Sequence, residues 1–446
     1  MEFISNTKRE QQEMLDFLGA KTTEDLIRGI PSEVRLTRGL RLPPPLTELE
    51  VKKEFGRLSR KNADLETHPS FLGAGAYDHY IPSVVNHIIG RSEFYSSYTP
   101  YQAEMSQGFL QTIYEFQTMV SELAGMDVAN ASLYDGGSSM AEAALMSIRV
   151  TRRKKILVSS LVHPDYRKIL RTYLSGSLIR IVEIPGDEGR TDLSRLRREL
   201  SEDVACVLLQ SPNFFGCLES LEEISGDIKR SGALFVVSTD PMSLGLIEAP
   251  GKLGADVVVG EGQGMGNALN FGGPYLGLFA TRKEYVRQMP GRIVGATMDM
   301  KGKKGFCLTL QTREQHIKRE RATSNICTNE ALAALASTVY LSLMGPAGLK
   351  EVGRLCLQKA NYLMGKISGI KGFKRAFPGP FFKEFVVRTP LPPSRLNKKL
   401  YKKGLIGGYD LGKVDSGLKN HWMLCVTEKR TKEEMDTLIR TVREAV

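Results

Sequence analysis

Several kinds of protein are excluded by what this sequence has little of. Its six cysteines (206, 217, 307, 327, 356 and 425) form no CxxC pair and no metal-ligand spacing. Neither a disulfide framework nor a metal centre is therefore expected. Cys206 and Cys425 sit in apolar runs and read as small core hydrophobes, a usage that suits a reducing compartment. No apolar run reaches the roughly 18 residues of a membrane span. The opening stretch, MEFISNTKREQQEMLDFLG, is polar and acid-bearing, unlike a secretory signal. A soluble, cytoplasmic protein that does not engage a membrane is expected. No G-x-x-x-x-G-K-[ST] run follows a strand pattern, which argues against a nucleotide enzyme built on that loop.

The net charge of +11 is dispersed, with its densest groups at 152–155, 301–304 and 398–403. No recognition motif and no basic helix interleaved with aromatics accompanies them, so nucleic acid is not an expected partner. Solvated faces, or a surface for an acidic partner or anionic substrate, remain the readings.

Residues 1–70 lack strand patterns, are rich in charge and proline, and suggest short helices at 8–18 and 22–29. Such a segment cannot bury much by itself, so an extension wrapping a partner surface is expected. From 131 onward short apolar runs recur at 131–133, 156–159, 179–184, 204–209, 234–238, 256–259 and 276–280. Helical patterns lie between several of them, at 139–151, 163–175, 192–200 and 219–231. Strands alternating with helices imply right-handed crossovers and a mostly parallel sheet, here of seven strands. A large α/β domain at 71–325 follows. After it the rhythm changes: helices at 329–344 and 348–368, broken by Gly345-Pro346, then strands at 384–388 and 422–426 and helices at 394–403 and 431–444. Residues 326–446 therefore read as a smaller α+β domain.

In an open α/β sheet, ligands bind beyond the C-terminal strand ends. After the first run, Gly136, Gly137 and Ser138 lead straight into a helix, either a phosphate cradle or a capped turn. His163 follows the second run, as a ring that can stack on a cofactor or as a helix-start residue. Asp240 follows the fifth, where a carboxylate can hold a ring nitrogen protonated or open a turn. The order resembles fold type I of the pyridoxal-phosphate enzymes, the aspartate-aminotransferase-like fold. Those enzymes hold the cofactor through a lysine after the next strand. Here 262–266 is glycine-rich, and no lysine occurs between Lys252 and Lys283. Without an amine there is no Schiff base and no lysine base.

Longer motifs resolve this. The segments FYSSYTPYQAEMSQG (94–108), YEFQTMV (114–120), DVANAS (127–132), QTREQHI (311–317) and ATSNICT (322–328) resemble the glycine cleavage system P-protein family, and specifically subunit 1 of P proteins split into two chains. The resemblance covers nearly the whole chain. It implies that pyridoxal phosphate is held covalently by the partner, P-protein subunit 2, and that glycine is decarboxylated. It further implies transfer of the aminomethyl group to the lipoyl H protein, within a heterodimer paired into a heterotetramer. Tyr95, Tyr98, Thr99, Tyr101, Gln102 and Ser106 are this chain's candidates to line the partner's active site, or to pack at the subunit interface. Gly136, Gly137, Ser138, His163 and Asp240 would form a pseudo-cofactor pocket. Ser324, Asn325 and Thr328, at an expected helix start, would contact a phosphate or cap the helix. The alternative function is a non-catalytic scaffold whose cofactor pocket is vestigial.

Overall fold

The computed structural model describes residues 5–36, 38–95 and 100–445. The described chain forms two compact units, Met1–Ala63 and Asp64–Val446. The first contains helices Lys8–Phe17 and Glu48–Ser59, each opened by a Thr/Glu capping box (Thr7 with Glu10, Thr47 with Glu50). Among its described residues only Ala20 is buried, while Phe17, Leu49 and Phe55 are exposed. Sequence placed the end of this segment at residue 70. In the structure the second unit already begins at Asp64, and within it the Phe71 N–H donates to Ile406 O (2.9 Å) and its carbonyl accepts from Cys425 N (2.9 Å).

The centre of the second unit is a seven-stranded sheet. Its strands are β1 (Val128–Ala129), β2 (Lys155–Ser159), β3 (Arg180–Ile184), β4 (Val204–Gln210), β5 (Leu234–Thr239), β6 (Val257–Glu261) and β7 (Gly277–Thr281). They lie in the order β1-β7-β6-β5-β4-β2-β3. Neighbours from β3 through to β6 are parallel, and β7 runs against both β6 and β1. Alternation along each strand feeds two cores. Leu157, Val207, Phe235, Val237 and Val258 point into one, and Ile156, Val158, Leu208, Val236 and Val259 into the other. The first strand falls at Val128–Ala129 rather than 131–133, because Ser132 takes φ 101° and interrupts the extended run. Leu133 keeps a single bridge to Gly277.

Two elements lay outside the strand rhythm. Helix α1 (Gln107–Ala124) buries Phe109, Leu110 and Ile113 against a hairpin of β8 (Ile293–Met298) and β9 (Lys304–Thr309), through Val294, Phe306 and Leu308. Helices α2 (Gly136–Thr151), α3 (Pro164–Leu174), α4 (Leu193–Glu199) and α5 (Leu221–Ser231) are the crossovers expected from sequence.

A four-stranded antiparallel sheet organises the C-terminal part: Lys374–Arg375, Glu384–Arg388, His421–Cys425 and Tyr409–Asp410, in that spatial order. Trp422 is wholly buried in its core. The two cores share one helix, α6 (Ala331–Ser368), bent where Gly345 leaves helical geometry ahead of Pro346. Ala333, Ala336, Tyr340 and Cys356 belong to a core of the large sheet, whereas Ala360, Leu363 and Ile367 pack into the small one. The helix therefore straddles the division that sequence placed at 325/326. It is also long and apolar enough by composition to cross a membrane, with half of its most apolar window buried in these cores.

Candidate functional site

The loops that follow the parallel strands at their C-terminal ends bring together the groups expected to hold a cofactor. Each is already engaged by another part of the chain. Asp135 caps α2, its Oδ1 accepting from Ser138 N (2.7 Å) and Ser138 Oγ (2.8 Å). The Gly136 N–H donates to Glu261 Oε2 at 3.0 Å. The other oxygen of Glu261 accepts from Gln263 N (3.0 Å) and Leu276 N (2.9 Å). Burial pushes this carboxyl up to about 8 in spite of those donors. A Cβ at Gly136 would collide with the Tyr166 hydroxyl, and one at Gly137 would meet Ile169 Cδ1 at 2.5 Å. The glycines are thus required by α3, which packs against them.

His163 caps α3 through Asp165 N (3.1 Å), and its Nε2 bonds Ala74 O (3.0 Å). Its ring packs on Tyr166 and Phe214, with centroids 4.8 and 4.9 Å away. The 74–75 backbone presses on it too, since a Cβ at Gly75 would lie 2.8 Å from Nε2. Asp240 Oδ2 is 2.7 Å from Lys383 Nζ, a lysine just ahead of the Glu384–Arg388 strand that is 1% exposed. The ammonium also donates to His79 Nε2 (2.9 Å) and stands 3.4 Å from the Tyr77 ring centroid. Burial pulls the Lys383 amine down, and Asp240, with the neighbouring Cys425 and Cys356, raises it on balance. It is an ammonium, not a nucleophile.

Sequence reasoning therefore needs a correction. The lysine missing from 262–266 is indeed missing, yet a lysine does reach Asp240 from a distant part of the chain. Gly264 instead faces His79, whose Cδ2 lies 2.9 Å from where a Cβ would be. The residues present do not fit pyridoxal phosphate in this chain's own pocket. The acid for a ring nitrogen and the N–H at the helix start are both taken. His79, Cys356 and Glu428 also bring ligand atoms within 4.8 Å of one another. They are joined internally, His79 Nδ1 to Glu428 Oε2 at 2.6 Å, with the Lys383 cation on the other ring nitrogen.

A second constellation lies along the 100–106 segment. Tyr98 and Thr99 lie outside the described residues. Tyr95 is 72% exposed and Tyr101 54%. Gln102 is exposed, and Ser106 precedes α1 without a side-chain cap bond. Tyr101 is held from below by Arg292, which is 5% exposed and was not singled out from sequence. One Arg292 nitrogen donates to Tyr101 Oη (3.0 Å) and Cys327 O (2.6 Å), the other to Thr328 Oγ1 and Asn329 Oδ1 (both 3.3 Å). His316 meets the Tyr101 ring edge-on at 5.9 Å, and Glu314 stands 3.7 Å from both Arg292 and His316. Thr328 thus joins this cluster. Ser324 and Asn325 do not cap a helix, because α6 begins at Ala331. Ser324 Oγ instead accepts from Ile326 N (3.0 Å), and Asn325 accepts from Gln315 (3.0 Å). The motif 311–317 carried the signal for Glu314 and His316, whereas an isolated arginine at 292 offered none.

Comparison with known proteins identifies the family of the chain. Residues 1–442 match the model of the glycine cleavage system P-protein family. A relative from Desulfitobacterium hafniense named probable glycine dehydrogenase (decarboxylating) subunit 1 is 54% identical over 439 residues, covering 98% of each chain. One of the same name from Moorella thermoacetica is 53% identical, covering 99% of each. A crystal structure of glycine decarboxylase (P-protein) in inhibitor-bound form superposes with a TM-score of 0.92 at 41% identity, over 100% of both chains. A sphingosine-1-phosphate lyase from Burkholderia pseudomallei, 14% identical with a TM-score of 0.68 and 92% of each chain covered, shares the fold alone. The fold is type I of the pyridoxal-phosphate enzymes, and the chain belongs to the glycine cleavage system P-protein family.

Proposed function

We propose that this chain is subunit 1 of a two-chain glycine decarboxylase, with its catalytic role exercised at the active site of P-protein subunit 2. The observation that carries this reading is a pairing of facts. The chain matches subunit 1 proteins end to end, while its own anchors for a cofactor are engaged internally. Pyridoxal phosphate, held covalently by subunit 2, supplies the electron sink for the carbanion left when glycine loses its carboxylate.

What this chain adds is a wall. Tyr95, Tyr98, Thr99, Tyr101, Gln102 and Ser106 offer apolar faces with polar tips, suited to orienting a small zwitterion and excluding water. Arg292 fixes one end of that wall by holding Tyr101 against 327–329. Transfer of the aminomethyl group to the lipoyl arm of H protein needs an open approach, and the exposure of the Tyr95 and Tyr101 rings suits them to flank one. The Met1–Ala63 unit, with Phe17, Leu49 and Phe55 exposed, is the part suited to wrapping a partner surface. Six free cysteines suit a reducing cytoplasm.

The test joins this chain to its partner subunit and follows exchange of labelled bicarbonate into glycine. Neither chain alone should support exchange, and borohydride should fix the cofactor to the partner. Tyr98→Phe and Gln102→Ala should lower exchange without separating the chains. Unchanged exchange in both variants would return the chain to the role of a scaffold.

A further inference from the structure

We infer that this chain fills its own cofactor pocket with two of its side chains, Glu261 standing where a phosphate would bind and Lys383 where a protonated ring nitrogen would. A carboxyl oxygen of Glu261 takes the N–H of Gly136 at the start of α2, the position at which helix N-termini attract anions. The ammonium of Lys383 takes Asp240 at the end of β5, the acid that would otherwise pair with a pyridinium. Lys383 carries the charge sign of the group it replaces, and Glu261 supplies the acceptor oxygens that a phosphate would. They come from different ends of the fold, Glu261 from β6 and Lys383 from just ahead of the Glu384–Arg388 strand, so a single local accident of packing does not account for both.

The surroundings of Lys383 are engaged as well. Tyr77 covers the Lys383 ammonium at 3.4 Å, and its hydroxyl donates to Glu384 Oε2 (2.8 Å). Its backbone is clasped by Gln263, which accepts from Tyr77 N (2.9 Å) and donates to Tyr77 O (3.1 Å). His79 lies on Gly264 and accepts from Lys383 at Nε2, which leaves its Nδ1–H to donate to Glu428. Asp78 between them pairs with Lys429 (2.6 Å) and Arg430 (2.9 Å). The 74–80 segment is therefore bonded both to Gln263, just past the end of β6, and to Glu384 of the small sheet. The filled pocket does a second job as a clamp: buried charges beside the large sheet (Asp240) and the small one (Lys383) are each other's partners. Domain movement that separated them would strand both.

The consequence is stoichiometric as well as mechanical. This chain binds no pyridoxal phosphate, so a complex with its partner holds one cofactor for every two chains. The inference concerns this chain's pocket alone and stands or falls independently of the role assigned to 95–106. It is tested on the full chain by equilibrium dialysis against pyridoxamine phosphate, which has the phosphate and ring nitrogen but cannot form aldehyde adducts with surface lysines. No saturable binding is expected for the chain alone, and half-occupancy per chain for the complex. Saturation of the isolated chain at one per chain would overturn the inference.

Two rescue experiments address the surrogates directly. Lys383→Ala should lower the melting temperature by about 5 °C or more, because Asp240 is left buried and unpaired. Methylammonium should restore part of that loss, and sodium at equal ionic strength should not. Should that variant fail to fold, Asp240→Asn with Lys383→Met supplies the reading: the pair should be better tolerated than Asp240→Asn alone. Glu261→Ala should open the helix start to inorganic phosphate, which should raise its melting temperature more than that of the unaltered chain. Equal responses to phosphate, or a double variant no better than the single one, would each refute the assignment of that surrogate.

Discussion

Glu384→Gln offers a direct way to read the electrostatics of the pocket. Glu384 is wholly enclosed, accepting the Ala74 N–H (2.7 Å) and the Tyr77 hydroxyl (2.8 Å). Burial pushes its carboxyl up from the ordinary 4.5 to about 7, the hydrogen bonds and Lys383 opposing that rise. A carboxyl raised on folding binds its proton more tightly in the native state. Its contribution is complete below the unfolded value near 4.5 and is lost as pH climbs through about 7, after which the curve is flat. The displacement corresponds to about 3 kcal/mol of stability withdrawn across that window. Glutamine keeps an acceptor for Ala74, and the tyrosine hydroxyl can turn to accept from its amide. The variant should therefore fold, and its stability relative to the unaltered chain should rise by about 3 kcal/mol between pH 5 and 8. Urea denaturation at half-unit pH steps measures this. Parallel stability curves for the two proteins, or a difference growing toward acid pH, would refute the reasoning.

Gly136→Ala should destabilise the chain by about 1–3 kcal/mol, since the added methyl meets the Tyr166 hydroxyl, and Tyr166→Phe should recover part of the loss in thermal melting. Arg292→Gln removes the fork that ties Tyr101 to 327–329, so glycine–bicarbonate exchange in the two-chain complex should fall by about tenfold or more. Tyr101→Phe, which loses only the hydroxyl, should cost less than Arg292→Gln in the same assay. Phe17→Ser with Phe55→Ser should leave the melting of this chain alone unchanged and weaken its association with the partner in sedimentation. If H protein docks on the basic surface, its apparent KM should rise with added salt, because exposed charges are screened within about 10 Å at 0.1 M.

The parallel sheet was legible because buried strands write themselves as short β-branched runs, and six of the seven fell where the runs stand. The first did not, since one backbone rotation at Ser132 is invisible in a hydrophobic pattern. Helix α1 and the β8–β9 hairpin belong to an α+β patch inside the large domain, where alternation of strand and crossover gives no guidance. In the candidate site, the glycines, His163 and Asp240 were found by position at the strand ends. Their partners were not. Lys383 follows two phenylalanines in an ordinary strand approach, and nothing local announces that its amine crosses to Asp240. Glu261 was in view beside the expected lysine position, but its bond to Gly136 depends on how β6 faces α2. Pairings between distant segments are set by tertiary packing, and a single sequence records only the ends.

The occupancy of Gly264's surroundings by His79 bears on what a lysine introduced there would meet. Writing a lysine into 262–266 would place an amine where an imidazole already lies, beside an acid already neutralised and a helix start already bonded. One such substitution would leave the Asp240–Lys383 pair and the Gly136–Glu261 bond in place. It is the packed interior as a whole, more than one absent amine, that stands against a cofactor in this chain.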